Sequence, residues 1–289
     1  MRISESELIL NPDGSVYHLH LKPEDIAHTI ITVGDPDRVS LVSRHFDSIR
    51  HKTNKREFIT HTGSLNGQEI TVISTGIGTD NIDIVLTELD ALVNIDFETR
   101  KIKKQHTALK IIRIGTCGGL QDNIPLDSFV VSEYALGFDN FVYFYKHQHQ
   151  FNNALSKAFE AHSNWLPELS RPYSVAGDTA LCERFAAIGF KKGCTVTNVG
   201  FYGPQGRVLR IGLSNPELNE AMRTFSHNDT QILNLEMETA GIYAMASLLG
   251  HRSTSLNVIL ANRTLGTFSS NPGAAIDNLI TVALNELTK

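Results

Sequence analysis

The stretch Lys110-Ile111-Ile112-Arg113-Ile114-Gly115-Thr116-Cys117-Gly118-Gly119 decides how the rest of the chain is read. Its first half is apolar on both sides of one charge, as expected of a strand covered on both faces. Its second half is rich in glycine and reads as a turn at the strand's carboxyl end. Arg113 interrupts the apolar run. An arginine there is costly unless it meets an anion or a carboxylate, which makes it a candidate ligand-binding residue.

The same grammar recurs nearby. Thr29–Val33 is followed by Gly34-Asp35-Pro36-Asp37-Arg38, and Ile70–Ser74 by Thr75-Gly76-Ile77-Gly78-Thr79-Asp80. Ser128–Ser132, Gly193–Asn198 and Thr254–Ala261 are further strand-like runs. Amphipathic helices fall between them. Thr79 or Asp80 can cap a segment whose stripe is Ile82, Val85, Leu86, Leu89, Leu92 and Val93. Glu236 to Leu249 reads as a helix closed by Gly250, and Ile276, Leu279, Ile280, Ala283, Leu284 and Leu287 mark the last one. Strand–helix alternation predicts an α/β fold with a mostly parallel or mixed sheet. No composition shift splits residues 1–289, so one domain is expected. Asn94 to His106 is polar and reads as a solvated connection. Phe138 to Phe151, rich in aromatics and histidine, has no clear period.

Composition narrows the function. Lys+Arg 26 against Asp+Glu 31 gives a formal charge of −5, which argues against nucleic acid as a partner. No apolar run approaches membrane-spanning length. Three cysteines without a CxxC pair suggest neither disulfides nor a zinc ribbon and fit a reducing, cytoplasmic setting. No GxGxxG follows a strand, and neither a P-loop nor HExxH is present. His147 and His149 have metal spacing but read as surface polar.

In open α/β sheets ligands bind beyond the carboxyl ends of strands. Glycine turns that carry Arg38 and Arg113 suit phosphate, since amide N–H groups and guanidinium forks both donate to its oxygens. Each turn also reads as a plain tight corner. Gly200-Phe201-Tyr202-Gly203-Pro204-Gln205-Gly206-Arg207 offers an aromatic pair, an amide and an arginine, a set that could read a planar ring such as uracil; a surface loop is the other reading. In Asn234-Leu235-Glu236-Met237-Glu238-Thr239 one glutamate could face a ligand while the other packs elsewhere, or both could be ordinary helix-start carboxylates.

Taken in order, VYHLHL at 16–21, GDPDR at 34–38, REF at 56–58, STGIGT at 74–79, RIGTCGGL at 113–120, FYGPQGR at 201–207, NLEMET at 234–239 and ANRT at 261–264 resemble the nucleoside phosphorylase family, most closely its uridine phosphorylase branch. The resemblance implies a three-layer α/β/α sandwich around a central mixed sheet. It implies reversible phosphorolysis of uridine or deoxyuridine to uracil and the pentose 1-phosphate, in a homodimer or a hexamer of dimers with shared sites. Gly34, Arg38, Arg113 and Thr116 would hold phosphate, joined by Arg56 from a neighbouring subunit. Thr116, Met237 and Glu238 would hold the ribose, and His18 of the neighbour would meet its 5′ hydroxyl. Phe201, Gln205 and Arg207 would read uracil, with Arg263 supporting Arg207. Arg113, Arg207 and Glu238 would carry the catalysis. No cofactor is implied beyond phosphate as co-substrate, although the family allows a monovalent cation near Glu57. Purine-cleaving relatives typically carry Ser-Asp where this chain has Asn262-Arg263. The alternatives are a purine nucleoside phosphorylase, a nucleoside hydrolase on the same fold, and a non-catalytic nucleoside-binding module.

Overall fold

The structure, a computed structural model, describes residues 2–146 and 148–289. The chain runs β1 (Thr29–Val33), α1 (Asp37–Ser43), β2 (Ser48–Lys55), β3 (Phe58–Leu65), β4 (Gln68–Ser74), α2 (Thr79–Asn94), β5 (Ile95–Asp96), β6 (Lys101–Ile102), β7 (Lys110–Gly119) and β8 (Phe129–Gly137). It continues with α3 (Ala154–His162), β9 (Tyr173–Ala176), α4 (Thr179–Ala186), β10 (Lys191–Thr197), α5 (Leu218–Thr224), β11 (Ser226–His227), β12 (Thr230–Glu236), α6 (Thr239–Leu249), β13 (Arg252–Asn262), β14 (Thr267–Phe268) and α7 (Pro272–Leu287).

The main sheet is mixed, in the order β11-β12-β10-β8-β13-β7-β1-β4-β3-β2. An added β12–β7 pairing closes β7, β13, β8, β10 and β12 into a barrel. Alternation along each central strand feeds two cores. Ile30 of β1 and Ile111 of β7 pack with the apolar stripe of α2 and with α6. Ile31 and Ile112 point the other way, to residues of α1, α4 and α7. That is the expected three-layer α/β/α arrangement. The α2 stripe is buried as the periodicity predicts.

Four local expectations are corrected. Residues 115–119 are not a turn: β7 continues to Gly119, paired with β13 throughout and with β12 at Gly118 and Gly119. Missing side chains make this possible, because a Cβ on Gly119 would come within 3.0 Å of Ile259 and one on Gly118 within 3.3 Å of Leu235. The segment Asn234–Glu236 ends a strand, and the helix begins only at Thr239. Helix α2 is capped by Gly78 (φ +97°), not by a Thr79 or Asp80 side chain. Finally, residues 94–106 hold the β5–β6 hairpin. Its Arg100 is buried and donates to the carbonyls of Ile3, Ser4 and Leu8, so this segment clamps the N-terminal residues. Phe141–Phe144 and Gln148–Phe151 are single 3-10 turns, and Val142 and Phe151 enter the core. His147 lies outside the described residues.

Candidate active site

The carboxyl ends of β1, β4, β10, β12 and β13 and the second half of β7 surround one cavity of about 700 Å³. Gly34, Arg38, Arg113, Thr116, Phe201, Gln205, Arg207, Met237 and Glu238 all line it. His18, Arg56 and Arg263 do not. The 201–207 segment, which could have been a plain surface loop, contributes to the wall.

Arg113 is almost wholly buried. Its Nη1 donates to Asn257 Oδ1 at 2.5 Å and its Nη2 to Glu238 Oε2 at 2.6 Å, with Glu236 Oε2 at 3.1 Å. The buried charge flagged by the sequence is thus answered by two carboxylates. Burial opposes the charge on Arg113, yet Glu236 and Glu238 outweigh it and raise its pKa. Glu238 shifts upward: burial is the main cause, Arg113 works against it, and Glu236 adds to it. Arg38 is also buried and reaches Ile114 O at 3.4 Å; burial, then Arg113, lowers its pKa.

The two glutamates differ in what they have left to offer. Glu236 accepts from Thr197 Oγ1 at 2.6 Å and from the amides of Glu238 and Thr239, and forms a 3.1 Å ion pair with Arg113. It caps the start of α6 and seats Arg113, which uses up its oxygens. Glu238 accepts only from Gly78 N, at 2.9 Å, and from Arg113. A carboxylate has about four lone-pair sites, so Glu238 can still accept two donors from the cavity.

Gly34 is not a strained corner. Its φ is not positive, and a Cβ there would meet only Gly76 O at 3.5 Å, an ordinary contact. Nothing in this chain demands glycine at that point, which leaves close approach of a ligand as its physical use. Gly76 and Gly78 differ, with φ of +70° and +97°.

At the opposite wall, Arg207 Nη1 donates to Phe201 O at 2.6 Å and to Gln205 Oε1 at 2.5 Å. Its guanidinium lies 3.8 Å from the Phe201 ring centroid, so one face of that ring is already covered. With Oε1 of Gln205 held by Arg207, its amide nitrogen is the end free to donate. Arg263 donates to the Gln205 carbonyl at 3.3 Å, as does Asn219 at 3.2 Å, so Arg263 props the loop from behind. Asn262 shapes its own turn, accepting from the amides of Thr264 and Leu265.

Sequence reasoning named Glu57 only beside a cation and Glu236 only as one of two candidate carboxylates, and it missed Asp35, Asn81 and Asn257. Asp35 lay within a quoted motif. Asn257, alone in an apolar run, carried the same signal that singled out Arg113. His18 sits apart, its Nδ1 2.6 Å from Glu88. Arg56 is exposed at the β2–β3 tip with φ +54°.

Among the described residues Asp90, His106 and His251 lie close enough to suggest a metal. The Leu109 amide donates to His251 Nδ1 at 3.2 Å, which leaves the proton of neutral imidazole on Nε2, 3.3 Å from Asp90. That nitrogen has no lone pair to give, and its approach to Asp90 lacks hydrogen-bond geometry, so the group reads as packed polar side chains and not as a metal site. The three cysteines are free and buried; burial pushes Cys182 up to about 11 and Cys194 up to about 12, so neither is a ready nucleophile.

The architecture is that of the nucleoside phosphorylase fold. Residues 28–282 match the family model described as the phosphorylase superfamily, and the chain belongs to it. It is 28% identical over 268 residues to a uridine phosphorylase of Thermococcus kodakarensis, covering 89% of this chain and 80% of that one. It is 25% identical over 247 residues to a DeoD-type purine nucleoside phosphorylase of Colwellia psychrerythraea, covering 83% and 84%. Among solved structures, a Trypanosoma brucei nucleoside phosphorylase that shows uridine phosphorylase activity superposes with a TM-score of 0.88 at 30% identity, covering 97% of this chain and 99% of that one.

Proposed function

We propose that this chain is a uridine phosphorylase: uridine, or deoxyuridine, plus phosphate gives uracil plus the pentose 1-phosphate. One observation carries the reading. A single cavity holds buried guanidinium groups and an unsaturated carboxylate on one wall, Arg38, Arg113 and Glu238, and an aromatic–amide–guanidinium set on another, Phe201, Gln205 and Arg207.

Phosphate held by Arg38, Arg113, Thr116 and the Gly34 backbone lies beneath C1′. Glu238 accepts from the 2′ and 3′ hydroxyls, and Met237 packs on the sugar. The C1′–N1 bond breaks with its electron pair passing to the base, while a phosphate oxygen bonds C1′. Holding the reactants in line supplies much of the rate. Negative charge on the departing uracil is met by Arg207 and the Gln205 amide, as in an oxyanion hole. The base-reading trio contains no acid, which favours a pyrimidine over a purine that must be protonated as it leaves.

The working unit is a homo-oligomer, a dimer or a trimer of dimers. The cavity's own walls carry Arg38, Arg113 and Arg207 against Asp35, Glu57, Glu236 and Glu238, a formal excess of one negative charge. That is a poor trap for a phosphate dianion. Arg56 supplied by a neighbour corrects the balance, and His18 from the same neighbour reaches the 5′ hydroxyl. A cytoplasmic setting fits the free cysteines, and no described helix is long and apolar enough to cross a membrane.

The test is a nucleoside panel assayed for free base with and without phosphate. Uridine cleavage that requires phosphate supports the reading. Cleavage in its absence makes the chain a hydrolase, faster inosine cleavage makes it a purine enzyme, and binding without turnover removes the catalytic claim.

A further inference from the structure

Asn257 lies in the middle of β13, fully buried and in register with Gly115 of β7. A buried asparagine has donors and acceptors that must be answered. Its Oδ1 accepts from Arg113 Nη1, and its Nδ2 donates to Ser255 Oγ at 3.2 Å. Ser255 Oγ is 2.8 Å from Thr239 Oγ1, the first residue of α6. A guanidinium can only donate, so Arg113 dictates that the amide oxygen faces it and the amide nitrogen faces Ser255. Main-chain contact anchors the same unit, since the Ser255 amide donates to Tyr243 Oη at 2.8 Å.

From these contacts we infer that Asn257 is a positioning residue for Arg113, fixing the plane in which its guanidinium meets phosphate. The inference rests on the phosphate reading above. Glu236 and Glu238 grip Nη2, and Asn257 grips Nη1 from the other side. Held at both ends, the guanidinium cannot rotate. Two of its five N–H groups are committed to hydrogen bonds with Asn257 and Glu238, and Nη2 also faces Glu236 across a 3.1 Å ion pair, which leaves N–H groups for an oxyanion. Gly115 supplies the room, because a Cβ there would lie 1.8 Å from Arg113 Nη1 and 2.7 Å from Asn257 Oδ1. Without Asn257 the grip is one-sided, and the guanidinium turns toward its two carboxylates and away from the anion.

The neutrality of the amide matters as much as its position. Two carboxylates already face Arg113. A third acceptor with charge would hold the guanidinium at least as firmly, but would repel a phosphate dianion in a poorly screened interior. An amide is the side chain that accepts strongly without adding to the negative excess.

Asn257→Ala and Asn257→Asp in the full chain test this. Both are expected to raise the phosphate KM about tenfold or more, the value of one hydrogen bond to a charged group. The Asp variant, isosteric with Asn, keeps the packing and shows the larger rise. The uridine KM stays within about twofold of wild type in both. Phosphate raises the melting temperature of the wild-type chain and fails to raise that of either variant. Phosphate and uridine KM values that move together, or an unchanged phosphate KM, overturn the inference. So does a wild-type melting temperature that phosphate leaves unmoved. Should the wild-type chain cleave no nucleoside while phosphate still stabilises it alone, the nucleoside reading falls and the role of Asn257 stands.

Discussion

Replacing Gly115 with alanine places one methyl group where the guanidinium of Arg113 now lies. The clash is with Nη1 at 1.8 Å and Cζ at 2.4 Å, well inside contact distance, and it cannot be relieved by a small shift because Asn257 Oδ1 closes the other side at 2.7 Å. Arg113 must leave its seat. Glu236 and Glu238 then stay buried without their cation, which costs about 3–5 kcal/mol. For a chain of this size that lowers the melting temperature by roughly 5–8 °C. Loss of a positioned phosphate donor should also cut uridine phosphorolysis by about a hundredfold or more. Thermal unfolding and steady-state kinetics read the two effects separately. A double-mutant cycle sharpens the result: once Arg113→Ala has emptied the seat, Gly115→Ala has nothing to strike, so the double variant should be no worse than Arg113→Ala alone. Additive losses would refute the argument, as would a Gly115→Ala chain with wild-type stability and turnover.

Three further outcomes are expected. Glu238 is shifted upward, chiefly by burial, and accepts ribose hydroxyls only when ionised. As pH falls through its raised value the carboxylate is protonated, so kcat/KM for uridine should decline with a midpoint above the 4.5 of an ordinary glutamate; a limb at or below that value contradicts the assignment. If Arg56 serves a neighbouring site, mixing equal amounts of Arg56→Ala and Arg113→Ala chains under subunit exchange should restore about a quarter of wild-type activity, since half of the dimers are hybrids and each hybrid has one intact site; no recovery rules out sharing. Asp139, buried beside Tyr173 Oη at 2.8 Å, is raised to about 6 by burial. The folded chain therefore holds that proton more tightly than the unfolded one, and stability is lost as pH rises from about 4 through about 6. Asp139→Asn removes this dependence, so its stability relative to wild type should improve by about 2 kcal/mol between pH 4 and pH 8; a constant difference in unfolding free energy would disprove it.

Strands and helices with one strong period were legible in the sequence. β1 matches Thr29–Val33 at both ends, and the α2 and α7 stripes are the buried faces. The edge strand β2 was not, because Ser48–Lys55 is exposed along most of its length and carries no apolar alternation. The 115–119 segment was misread because glycine signals a turn and a strand that bends between two partners equally well, and only the β12 pairing decides. Likewise Glu236 looks like a helix-start acid in sequence; tertiary pairing with β10 keeps it in a strand and aims it backward onto the helix it caps. Arg38, Phe201, Gln205 and Arg207 were legible as candidates because they lie in short polar motifs, and all four line the cavity. Asn257 escaped, since its meaning depends on a cross-strand neighbour that periodicity does not report.

The divided roles of Glu236 and Glu238 leave acceptor capacity in place for a substrate. A carboxylate that had to abandon Arg113 to take a hydroxyl would exchange one buried hydrogen bond for another and gain little. Glu238 keeps both of its existing donors, Gly78 N and Arg113, and has two acceptor sites left, as many as a ribose has secondary hydroxyls. Binding then fills vacant capacity without moving a charge, the condition under which orientation is supplied before the reaction begins. It also sets a limit on sugar choice. A 2′-deoxynucleoside leaves one of those sites unfilled on a buried carboxylate, so it should bind more weakly by about one hydrogen bond to a charged group, roughly tenfold. Competition between uridine and deoxyuridine measures this directly. Equal affinity would mean that water reaches Glu238 in the complex and that the carboxylate is not closed off as its burial implies.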